Sequence, residues 1–322
     1  MNLNQRLSLV LISLPALPFF PQHAHAGACC GGGLSSASLI TGDEQGRLNL
    51  GIASRAVAAD VDAEGKLVSR GSDSPSETQG SASLDGSLTF ADRFQVGARL
   101  DTSLQAITIP GAASGAPSMG VGDLKLNAGY EVLPEWTYSP WKPRGFLWMG
   151  ITAPTGVSLH ETLNPAEALG EGFWVPAAGV VLVKRWEQWD ATASLEGRLS
   201  LGRSFTLSFD DEFTSTSQFG NQIGVGGLIA VGFSPGGGNL RFGARLEPQW
   251  RASRTVVNDG FASATRERRI TSIGADITWM FQSTNSVTAA YTDQTFLGIS
   301  GLASNAALSR TLALTLSHRF DR

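Results

Sequence analysis

From Phe94 to Ala106 the chain alternates apolar and polar residues almost without a break, and this pattern constrains the fold more than any other feature. Phe94, Val96, Ala98, Leu100, Leu104 and Ala106 fall on one side, with Thr102 the one polar member. Gln95, Arg99, Asp101, Ser103 and Gln105 fall on the other. Successive side chains of a β-strand point to opposite faces, so this stretch has one apolar wall and one charged wall. A strand that crosses a membrane in a barrel needs that arrangement, with lipid against the apolar face and a polar lumen against the other.

Similar patterning, punctuated by turn residues, predicts twelve strands. They run 47–59, 78–90, 94–106, 120–132, 145–153, 173–185, 190–202, 222–233, 239–252, 269–281, 286–294 and 308–320. The fifth, sixth and eighth are apolar on both sides, which leaves their facing open. The connections separate by parity. Those after odd strands are long: 60–77, 107–119, 154–172, 203–221, 253–268 and 295–307. Those after even strands are short, 133–144 being the longest. Outer-membrane barrels combine an even strand number with short periplasmic turns and long external loops. The expected fold is therefore an all-β, twelve-stranded antiparallel transmembrane barrel over 47–322, with both termini in the periplasm.

Residues 1–26 read as a secretory signal: Arg6, an apolar stretch from Leu7 to Phe20, and the small-x-small site Ala24-His25-Ala26. Residues 27–46 are expected to form a Cys/Gly-rich periplasmic tail. Mean hydropathy is near zero and no apolar run outside the signal reaches the length of a membrane helix. The whole chain carries 24 Lys+Arg against 28 Asp+Glu. It has no basic patch with interleaved aromatics, so nucleic acid is not an expected partner.

On the inferred lumen face the charged positions are Arg99 and Asp101, then Asp123, Lys125 and Glu131, then Glu196 and Arg198, and last Arg241, Arg245 and Glu247. Each alternates with apolar neighbours, and all ten are expected to line a pore. Phe90, Phe94, Trp136, Tyr138, Trp141, Trp186, Trp189, Phe233, Trp279 and Phe281 lie beside the expected turns. Aromatic rings collect there because they sit at the lipid headgroup level. Leu312 to Phe320 alternates into an aromatic and resembles the final-strand signal read by the barrel assembly machinery, although Asp321 and Arg322 follow it.

Gly120-Val121-Gly122-Asp123-Leu124-Lys125-Leu126-Asn127-Ala128-Gly129-Tyr130 is similar to a Gly-x-Gly-Asp-strand-Tyr stretch of the outer-membrane transporters associated with meta-pathway phenol degradation. Ile151-Thr152-Ala153-Pro154-Thr155-Gly156 resembles the Pro-Thr-Gly strand end that follows it there. The similar part covers about 40 residues of 322. The resemblance implies a barrel that passes small, often hydrophobic molecules.

Cys29 and Cys30, followed by three glycines, are the chain's two cysteines. Three readings stand side by side: a disulfide or inert tail, a soft-metal or redox pair, and an acylated or intermolecularly linked Cys29. No other cofactor is expected. An enzyme is not expected either. His160 falls in an external loop, where a histidine is usually solvated. His318 falls on the lipid-facing register, and neither has a Ser or Asp arrangement about it. The expected function is an outer-membrane channel or transporter for passive passage of small molecules. The alternative is a structural or assembly barrel that anchors the tail and the external loops for a partner or a metal.

Overall fold

The computed structural model describes residues 39–70, 76–108, 117–162, 167–208, 214–298 and 302–321. Twelve strands form the wall. The first six are β1 (Gly46–Val61), β2 (Ser76–Phe90), β3 (Phe94–Thr108), β4 (Leu124–Leu133), β5 (Arg144–Ala153) and β6 (Val175–Arg185). The rest are β7 (Trp189–Ser200), β8 (Gln222–Phe233), β9 (Leu240–Arg251), β10 (Arg268–Met280), β11 (Asn285–Asp293) and β12 (Ala306–Phe320). Each pairs antiparallel with the next, and β12 pairs with β1 from Gly46↔Phe320 to Val61↔Ala306, so the sheet closes on itself. Closure leaves no open edge whose N–H and C=O groups would go unpaired in lipid. Among the described residues no helix is long and apolar enough to cross a membrane.

The fourth strand begins later than expected. A separate strand, Ser118–Val121, pairs with β3, and the chain breaks at Gly122-Asp123 before β4 starts. The short connections lie at one end of the barrel and the long ones at the other, as the parity of loop lengths implies. Ala91 and Asp92 of the three-residue β2–β3 turn both have positive φ, at 46° and 64°, a left-handed backbone found in tight turns. At the loop end, Arg203–Ser208, Thr214–Phe219, Thr255–Asn258 and Phe261–Ala264 form a second, four-stranded sheet.

Burial is inverted relative to a soluble protein. On β1, Leu50 is 53% exposed while Arg47 is 5% exposed. Val96, Leu100 and Leu104 of β3 point outward, and Gln95, Ser103 and Gln105 are buried inside. Such an apolar outer band over a buried polar interior suits lipid outside and polar contacts within. Aromatic rings gather at the turn end. Phe94 lies 4.7 Å from Tyr130, Trp189 4.6 Å from Phe233, and Trp279 5.6 Å from Phe281, centroid to centroid.

The doubly apolar strands resolve through packing. On β5, Phe146 and Trp148 turn inward while Leu147 and Met149 stay exposed. Opposite Trp148 on β6 stands Gly179, where a Cβ would lie 2.8 Å from the indole Nε1. The missing side chain is what admits the indole. Val181 and Val183 complete this inward apolar face.

Candidate functional site

The lumen is filled unevenly. A cavity of about 480 Å³ runs along β1–β3 and β9–β12, lined by Asn49, Arg55, Ser83, Asp85, Arg99, Arg245, Glu247, Asp276, Thr292 and Thr315 among others. Interior charges pair around it. Asp101 accepts from Arg99 Nε at 2.9 Å and meets Lys125 Nζ at 3.4 Å. Arg245 Nε lies 2.9 Å from Glu247, and its Nη2 donates to Thr292 Oγ1 at 2.6 Å. Nearer the turn end, Arg241 grips Asp190 through Nε and Nη2, both at 2.7 Å, and reaches Asp276 through Nη1 at 2.8 Å. Two parallel N–H···O bonds to one carboxylate form the strong, orientation-fixing version of an ion pair.

The turn end is filled by residues 39–45. Leu39 packs on Phe146, Trp148, Val181 and Val183. Ile40 donates its N–H to Gln95 Oε1 at 2.5 Å, and Arg144 bridges Glu131 at 2.8 Å and Asp43 at 2.7 Å. Thr41 and Glu44 are buried, and Glu44 pairs with Arg47. The part of the expected tail that is described is therefore tucked against the inner wall. The alternation that marks strands has no counterpart for a segment packed end-on into a lumen. Cys29 and Cys30 lie outside the described residues. Among the described residues no cluster of three or more potential metal-ligating side chains occurs.

At the loop end, 154–162 and 167–174 meet the second sheet, where Phe173 packs with Phe205 and Phe219. Asp123 secures that loop, its carboxylate accepting from Gly156 N at 3.1 Å and from Glu171 N at 2.7 Å. His160 is not solvated as expected for a loop histidine. It sits among Phe173, Phe205 and Phe219, 4.3 Å from Phe219. Burial and the Arg254 guanidinium hold its imidazole below the usual histidine range. Arg254 itself lies 4.3 Å from the Phe173 ring, a cation–π contact. Replacing Asp123 by Ala should free both ends of the loop. Limited proteolysis of the folded barrel should then cut within 156–171 faster than in the parent, and an unchanged rate would show that the aromatic cluster alone holds the loop.

Of the ten side chains expected to line a pore, Arg99, Asp101, Lys125, Arg198 and Arg245 are half-buried. Asp123, Glu131, Glu196, Arg241 and Glu247 are each buried. They are not one site: Arg99, Asp101 and Lys125 form one group, Arg241 belongs to another, and Glu131 faces the tucked segment. Asp85, Asp190 and Asp276 were missed although they follow the same alternation. Glu171 had no signal, because a loop residue's inward position is set by its anchor and not by periodicity.

No protein-family model matches the chain, and no curated protein matches it in sequence. Solved structures do match in shape. An outer membrane channel from Pseudomonas putida F1 shares 15% identity over 88% of this chain and 97% of that one, with a TM-score of 0.62. The transport unit of the autotransporter AIDA-I from Escherichia coli gives 8%, 86%, 90% and 0.48, in the same order. The Pseudomonas putida toluene transporter TodX gives 9%, 87%, 90% and 0.42. At these identities the likeness to the first is one of fold.

Proposed function

We propose that this chain is an outer-membrane channel through which small molecules pass down their gradients, with residues 39–45 and the short turns on the periplasmic side. The observation that carries the reading is the closed wall whose charged, polar interior encloses a cavity of about 480 Å³. Eight-stranded barrels are filled by side chains and those of sixteen or more strands hold open aqueous channels, so twelve strands suit a narrow, partly obstructed path. Arg99, Asp101, Asp123, Lys125, Glu131, Glu196, Arg198, Arg241, Arg245 and Glu247 are the side chains along it. Both signs of charge occur, so the solute must meet donors and acceptors in turn. The strand ending in Phe320 supports delivery by the barrel assembly machinery into outer-membrane lipid.

Liposome swelling by the refolded chain lacking residues 1–26 tests this. Small solutes should enter and swell the vesicles, and Lys125→Leu or Arg245→Leu should change the order of rates among solutes of different charge while leaving the heat-dependent gel shift of the folded barrel intact. Vesicles that stay sealed with folded barrel present would favour the anchoring role, in which the barrel only holds its ends and loops for a partner.

A further inference from the structure

Near the loop end, four adjacent strands carry one row in register. Arg198 on β7 faces Gly224 on β8, Gly224 faces Arg251 on β9, and Arg251 faces Arg268 on β10. A Cβ on Gly224 would lie 2.8 Å from Arg198 Nε, so the Arg198 side chain lies across the glycine, on the side of Arg251. Arg55 of β1 lines the same cavity as Arg251 and Arg268. Like charges set opposite one another across a sheet repel, and nothing in the wall's fold requires this row.

One loop carboxylate stands against it. Glu171 Oε1 lies 2.8 Å from Arg251 Nη2. Burial alone would raise the Glu171 carboxyl, but Arg251 and Arg198, with Lys125, hold it below the usual carboxylate range, so it is anionic at neutral pH. Glu196, two residues along β7, is the other acid whose charge reaches Arg198. Arg55, Arg198 and Arg268 have no ion-pair partner among the described residues, and Arg268 Nε is buried without a hydrogen-bond acceptor. A guanidinium offers five donors in a planar fork matched to a carboxylate. Glu171 satisfies part of one such fork and leaves the others unfilled.

We propose that the arginine row Arg198–Arg251–Arg268, with Arg55, is a binding site for the carboxylate of small organic acids, and that Glu171 is its internal occupant, displaced when such a solute binds. Asp123 holds the Glu171 backbone N–H, so the side chain can leave the row while the loop stays anchored. The site rests on the channel reading only for the route by which a solute arrives.

The test measures binding and conduction separately, with benzoate as probe and its uncharged amide, benzamide, as control. Calorimetry on the detergent-solubilised barrel in low-chloride buffer reads binding. Glu171→Gln keeps the shape and removes the competing charge, so it should bind benzoate about tenfold tighter than the parent, the worth of roughly one charge-assisted hydrogen bond. Benzamide should bind both proteins alike. Arg198→Gln with Arg268→Gln should abolish benzoate binding in either background, which keeps the test decisive if Glu171→Gln does not fold. Equal benzoate affinity in folded parent and Glu171→Gln, or benzamide following benzoate, overturns the site. A barrel that binds benzoate as expected but passes no solute retires the channel reading and leaves the site standing.

Discussion

Arg241→Leu is expected to destabilise the barrel by about 3–5 kcal/mol, the cost of leaving buried charges without their partner. The Arg241, Asp190 and Asp276 side chains are 5%, 7% and 11% exposed, and the pairings span β7, β9 and β10. Removing the guanidinium leaves two carboxylates facing each other across the same small volume. Urea unfolding of the barrel in lipid vesicles measures the loss. The triple variant that adds Asp190→Asn and Asp276→Asn should recover most of it, because removing all the charges of a buried cluster costs far less than removing one. A single variant within about 0.5 kcal/mol of the parent, the range of ordinary surface changes, would mean that lumen water already screens the triad.

The second large effect comes from two neighbouring residues at the middle of β12. Leu314 is 45% exposed on the outer face, and Thr315 lines the central cavity. Leu314→Arg puts a charge against lipid near the midplane and should cost roughly 2–4 kcal/mol. It should show as reduced assembly and a lower urea midpoint. Thr315→Arg puts the same charge at the same depth into the polar lumen, where it does not meet lipid and the cost should be clearly smaller. Depth, strand and residue type are matched, so the difference isolates facing. Equal losses in the two variants would place both residues in the same environment and contradict the inverted wall.

Much of the fold is legible in the chain because facing is a local property. Arg99 and Leu100 lie on opposite sides of β3 because they are consecutive in the strand, and no distant contact is needed to know it. The same holds for Lys125 and Leu126, and for Arg245 and Leu246. Where both parities are apolar, as on β5, the local rule is silent. Trp148 points inward because Gly179 on the next strand leaves room for it, and that pairing joins residues far apart in sequence.

Which side chains meet inside the lumen was decided by tertiary structure. Asp190 and Arg241 are 51 positions apart, and only the interposed Gly232 of β8 brings them within reach. Leu39 finds its place against Phe146 and Val183, and Glu171 finds Arg251, through segments that carry no periodic pattern. Alternation is written residue by residue by the geometry of a strand, so strand number, loop parity and the two faces of the wall follow from the sequence by itself. What occupies the space inside depends on which side chains meet across a closed sheet, and that is set only when the last strand pairs with the first.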